Sequence, residues 1–82
     1  MKYPYVTFDE DADALYVYLT AAEVAETRNL SDLRLIDYSA DGAVVGIEFI
    51  SASQGVDLES VPFRPTVAAA IGDSGLPIKV YA

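Results

Sequence analysis

Any chemistry done by this chain of 82 residues has to run on carboxylates and tyrosines. Histidine and cysteine are both absent, which removes the usual nucleophile–base pairs, thiolate metal sites and a disulfide framework. Thirteen acidic residues stand against five basic ones, for a formal net charge of −8. Asp9, Asp11 and Asp13 have the D-x-D-x-D spacing that opens a calcium loop, where hard oxygens alternate around the ion. The sixth position is Ala14 instead of glycine, the twelfth is Thr20 instead of glutamate, and the pattern runs directly into a strand. The favoured reading is a solvated turn in which Asp9 or Asp13 accepts backbone amide hydrogens, and no metal or cofactor is assigned.

Asp37 is the second carboxylate to weigh. The sequence places it on the core face at the end of a hairpin, where burial would raise its pKa and suit it to general acid or base work. Glycosidase-like chemistry needs a second carboxylate at a set distance across a cleft, and one small sheet offers little cleft. A structural role near the turn is the simpler expectation. No catalytic residue is assigned, and the chain is expected not to be an enzyme. The rival reading is a small carboxylate enzyme or divalent-cation-binding protein using Asp9, Asp11, Asp13, Asp37 and Asp41.

Tyrosines supply the stronger signal. Tyr16 and Tyr18 alternate along A-L-Y-V-Y-L, opposite in phase to Leu15, Val17 and Leu19. Tyr38 falls with Ile36, Val44 and Ile50 on the non-core face of the next hairpin. Such a half-wet surface suits tyrosine, whose ring packs while its hydroxyl keeps a polar partner. A contiguous patch of this kind marks an interface, so Tyr16, Tyr18, Ile36, Tyr38, Val44 and Ile50 are the candidate contact residues. Bases could stack on the same rings, but the basic groove of a single-strand binder is missing.

The elements that must position these residues follow from periodicity and turn chemistry. Tyr3 to Phe8 and Ala14 to Leu19 read as strands around the acidic turn. Val24 to Arg28 reads as a weak edge strand, and Asn29 to Asp32 as a turn. Leu33 to Tyr38 and Ala43 to Ile50 flank Ser39-Ala40-Asp41-Gly42, which fits a type I turn with Gly42 in the left-handed position of a bulged hairpin. That geometry sets Ser39 opposite Ala43, Asp37 opposite Val45, Leu35 opposite Ile47 and Arg34 opposite Glu48. Leu33, Leu35, Val45, Ile47 and Phe49 then form the core face. Gly46 should oppose Ile36 on the tyrosine face, where a missing side chain lets a neighbour approach closely. Val56 to Val61 is ambiguous. A helix within residues 64 to 74 starts near Pro65, carries Val67, Ala70 and Ile71 on its apolar face, and stops at Gly75. Leu76 to Tyr81 reads as a last strand that returns to the sheet or to a second chain.

Three segments resemble a known family. Phe8-Asp9-Glu10-Asp11-Ala12-Asp13-Ala14-Leu15-Tyr16-Val17, Val24-Ala25-Glu26-Thr27, and Ile36-Asp37-Tyr38-Ser39-Ala40-Asp41-Gly42-Ala43-Val44-Val45-Gly46-Ile47-Glu48 are similar to the three blocks of a small bacterial family catalogued as domain of unknown function 2283. Phe8 replaces a usual tyrosine, and Ser39 stands where an acidic residue is common. The resemblance implies a compact antiparallel sheet with a helix and no known activity. It also implies an antitoxin-like or accessory binding role as a suggestion.

The expectation is one α+β domain over residues 1–82, with a mainly antiparallel sheet of four or five strands and one C-terminal helix packed on one face. The expected function is protein–protein interaction, first as a homodimer, and also with a small basic protein drawn by the acidic surface. Nucleic acid and anionic membranes are not expected partners at this charge, and without a spanning or signal segment the expected location is cytoplasmic.

Overall fold

The computed structural model describes residues 2–81. Five strands form one antiparallel sheet: β1 (Tyr5–Asp9), β2 (Ala14–Tyr18), β3 (Glu26–Ser31), β4 (Arg34–Tyr38) and β5 (Val44–Ile50), in spatial order β1-β2-β5-β4-β3. A 3₁₀ turn at Ala52–Gln54 leads to β6 (Val56–Asp57), then to helix α1 (Arg64–Asp73) and β7 (Val80–Tyr81). Among the described residues no helix is long and apolar enough to cross a membrane. The expected α+β architecture is therefore what forms, with the last strand placed differently. β7 pairs in parallel with β6 inside the same chain and does not return to the main sheet.

Alternation builds the core. Leu15 and Val17 of β2 and Ile47 and Phe49 of β5 are buried, and α1 lays Val67 and Ile71 against the same cluster. Pro65 sits in the first turn of α1, where a missing backbone N–H leaves no intrahelical bond unmade. β3 is the edge strand expected from its polarity, but it runs on through Asn29 and Leu30 to Ser31, so the turn shortens to Asp32 and Leu33. Leu30 explains the extension: a strand irregularity between Asn29 and Ser31 lets it pack on the core.

The β4–β5 hairpin turns as expected and then departs. The Ser39 N–H donates to the Ala43 carbonyl at 2.9 Å, the Gly42 N–H donates to Ser39 at 3.0 Å, and Gly42 has φ 87°. One step further, Tyr38 pairs with Val44 while Asp37 pairs with Gly46, so Val45 is an extra residue on β5. This bulge shifts every later pair by one: Ile36 faces Ile47, Leu35 faces Glu48 and Arg34 faces Phe49. The expected register is thus corrected beyond the turn, and with it the two faces of β4. Ile36 is buried in the core, Tyr38 and Val44 pack against that core, and Leu33 is half exposed. The physical reason lies in Asp37. The unbulged register would point its carboxylate into the apolar core and turn Ile36 away, and an ionised group left there without partners costs far more than one irregular pair.

Arg34, expected across from Glu48, instead reaches the segment after β5. Its guanidinium donates to the carbonyl oxygens of Asp57 at 3.2 Å and Glu59 at 2.5 Å, and to the Ser31 hydroxyl at 3.1 Å. It ties the irregular chain around β6 to the sheet. The register has a direct consequence for stability. Ile36→Ala should cost about 2–5 kcal/mol in urea unfolding, the range for a buried aliphatic truncation, whereas half-buried Leu35→Ala should cost clearly less. The reverse order would restore the unbulged pairing.

Candidate functional site

The face of the sheet turned away from α1 carries the groups of interest. Alternation from the core residues brings onto it Tyr5 and Thr7 of β1, Tyr16 and Tyr18 of β2, Gly46, Glu48 and Ile50 of β5, Leu35 and Asp37 of β4, and Thr27 of β3. Tyr16 and Tyr18 are where the sequence placed them, and Ile50 joins them beside Ala14. Ile36, Tyr38 and Val44 do not, because the bulge turns them to the core side. Tyr38 instead lies beneath Arg28, whose guanidinium carbon is 5.1 Å from the ring centre.

Asp37 takes the vacated place and organises the face. The Tyr16 hydroxyl donates to Asp37 Oδ2 at 2.5 Å, and the Thr27 hydroxyl donates to Asp37 Oδ1 at 2.5 Å. Tyr16 and Asp37 lie on strands separated by β5, so the tyrosine ring must cross β5. It crosses at Gly46: a Cβ built there would stand 2.5 Å from Tyr16 Cε1 and 2.6 Å from both the Tyr16 hydroxyl oxygen and the Val17 carbonyl oxygen. No residue with a side chain fits. Sequence reasoning anticipated the close approach at Gly46 but assigned Asp37 to the wrong face, because the turn chemistry carries no mark of the second bulge.

The aromatic row continues outward from this clamp. The Tyr16 and Tyr18 rings are 4.4 Å apart at 52°, Tyr18 stacks on Tyr5 at 4.4 Å and 9°, and Tyr3 leans on Tyr5 at 5.2 Å. Contacts thus run from Tyr3 through Tyr5, Tyr18, Tyr16 and Asp37 to Thr27, spanning the whole width of the sheet. Burial, then the hydrogen bond to Asp37, then the charges of Asp37 and Glu48 all push the Tyr16 hydroxyl well above the ordinary tyrosine range. Tyr16 is therefore a fixed proton donor at physiological pH, and each Asp37 oxygen already accepts one hydroxyl. The arrangement holds rings in place and offers an aromatic surface with Glu48 beside it.

The other carboxylates are used locally. Asp9 Oδ1 accepts the backbone N–H of Asp11 at 3.0 Å and of Ala12 at 3.3 Å. Asp13 accepts the N–H of Ser53 at 2.8 Å and its hydroxyl at 2.6 Å, stapling the β1–β2 turn to the chain after β5. Asp41 is hydrogen-bonded by the Ser39 hydroxyl, which together with the Ala43 amide holds its carboxyl below the usual range. Among the described residues, no three such groups gather where a metal ion could be held.

Comparison with known proteins bears on the same stretch. The family model described as "Protein of unknown function (DUF2283)" matches residues 5–53, which include β1 to β5 and the entire Tyr16–Asp37–Thr27 clamp. An uncharacterized protein of Methanocaldococcus jannaschii is 41% identical over 49 residues, covering 60% of this chain and 41% of the relative. The chain thus spans about two-fifths of the length of that relative. The relative is archaeal, so the match supports the family and not a bacterial source. No solved structure matches the chain.

Tyr16 makes the clamp visible in alkali. Its folded pKa lies above the ordinary 10.0, so above that pH the folded chain holds more protons than the unfolded one. The stabilisation from this group is full below the unfolded value and is lost as pH rises through the folded one. Tyr16→Phe removes the titration, so its urea midpoint should fall less steeply than that of the unaltered chain between about pH 9.5 and 11. Parallel slopes would show that the hydroxyl is not clamped.

Proposed function

The chain belongs to the DUF2283 family of proteins of unknown function, and on that premise we propose that it is a protein–protein interaction module whose open sheet face receives a basic protein surface. The observation that carries this reading is the locked tyrosine row. A ring already held across Gly46 by Asp37 loses little freedom on binding, so its contact area converts into affinity more fully than that of a mobile side chain. Arginine fits such a surface in two ways: its guanidinium stacks on tyrosine, and it pairs with the carboxylate of Glu48. Net charge of −8 adds steering toward a cationic partner.

The same features argue against face-to-face pairing of two copies, the simplest form expected from the sequence. Once Asp37 replaces Ile36 on this face, two copies stacked there would each bring the carboxylates of Asp37 and Glu48 into one interface with no basic side chain from this face to pair them. A small basic protein is the complementary occupant, and an antitoxin-like role is one form this would take. The test is a titration of isotope-labelled chain with a short peptide of alternating arginine and threonine, followed by NMR. Shifts should concentrate on Tyr16, Tyr18, Asp37 and Glu48, and Tyr18→Ser should weaken binding roughly tenfold, as removal of an aromatic anchor does. Shifts spread evenly over Asp9 to Asp13 and Asp41, with unchanged affinity in the variant, would overturn the reading.

A further inference from the structure

The two edges of the sheet are not alike. β3, at one edge, carries the Glu26–Arg28 ion pair and a strand irregularity between Asn29 and Ser31, both devices that discourage a further strand. β1, at the other, pairs with β2 without a break and carries its one charge at the last residue, Asp9. Among the described residues no other element bonds to the outer side of its backbone. Beside that edge a groove of about 890 Å³ opens between β1 and α1. Val6, Phe8 and Ala70 line it and pack on the core while staying partly exposed, and Ala69 lines it from an exposed helical position. A further strand added at β1 would lay alternate side chains into this trough, on the side of the sheet opposite the tyrosine row.

We propose that this edge and trough receive an extended segment of another protein, with apolar residues at alternate positions and arginine or lysine flanking them. Charge selects the occupant. The groove is lined by the carboxylates of Glu10 and Asp73 and by no basic residue, and neither carboxylate is ion-paired among the described residues. An apolar chain entering beside them strips water from both, and a cation on that chain restores what they lose. A second copy does not supply one through its own β1. From Tyr3 to Thr27 the sequence has no lysine or arginine, so β1 against β1 would bring Asp9, Glu10, Asp11 and Asp13 to a groove that is already acidic. Backbone hydrogen bonds along β1 give such a complex its affinity, and the fit of alternate apolar side chains to the trough gives its specificity. The site is separate from the tyrosine row and stands whether or not that row binds.

The probe is a short blocked peptide of alternating valine and threonine, with an arginine at each end on the valine face, titrated into the isotope-labelled chain by NMR. Shifts should centre on β1 and the groove side of α1, and the outward amides of β1 should exchange roughly tenfold more slowly in the complex. Ala69→Arg, at an exposed position and favourable to a helix, should fill the trough with a like charge and weaken binding roughly tenfold. A peptide with glutamate in place of both arginines should not bind, and the chain with Glu10→Lys and Asp73→Lys should accept it. Both positions are exposed and a lysine at the end of α1 suits the helix dipole, so neither change threatens folding. Tyr18→Ser should leave the affinity unchanged, so failure here and failure at the tyrosine row are read separately. The proposal is overturned by no binding at millimolar peptide, by binding that survives Ala69→Arg, or by shifts confined to the tyrosine row. A free chain whose outward β1 amides are already protected by a second copy would overturn it too.

Discussion

One extra residue in β5 governs the rest. Val45 has no partner of its own in β4, and the bulge it makes rotates β4 so that Ile36 enters the core and Asp37 leaves it. Without that step the Asp37 carboxylate would be desolvated beside buried Val45 and Ile47, and Ile36 would face outward. With it, Asp37 lands where a tyrosine hydroxyl from β2 and a threonine hydroxyl from β3 can both reach it. The irregularity removes a buried charge and creates a cross-sheet clamp.

The clamp needs a second concession, the bare backbone at Gly46. Glycine in a strand interior loses packing and costs conformational entropy. Here it opens the path by which Tyr16 crosses β5, and the ring laid over it fills the missing volume. Stability and surface chemistry are therefore the same feature seen from two sides. The hydrogen bonds that order the sheet also fix the orientation of the rings that it presents. The core side is closed separately, by α1 over β1 and β2 and by Arg34 pinning the chain around β6.

Much of this was legible in the residues. The alternation in A-L-Y-V-Y-L, the left-handed turn at Gly42 and the helix between Arg64 and Asp73 all follow from local physics, which acts within a few residues and leaves a pattern. The second bulge left none. Whether Val45 is paired or extra depends on where Asp37 can find hydroxyl donors, and Thr27 and Tyr16 sit ten and twenty-one residues away. The expected Arg34–Glu48 pair agrees with the unbulged register, yet an exposed ion pair contributes too little to set one. Nothing local in the sequence marks Tyr5 as part of the site, because its role depends on stacking against Tyr18 across a strand pair. The parallel pairing of β6 with β7 is likewise a contact between distant short segments with no periodicity to read.

The most direct measurement is the proton NMR spectrum of Gly46. A tyrosine ring lying over its Cα places the Hα atoms in the ring current, so at least one should be shifted strongly upfield and show cross-relaxation with the Tyr16 ring. That shift should collapse in Tyr16→Leu. Ordinary Gly46 Hα shifts, together with cross-strand contacts between Leu35 and Ile47, would mean that β4 and β5 pair without the bulge and that Asp37 does not organise the open face.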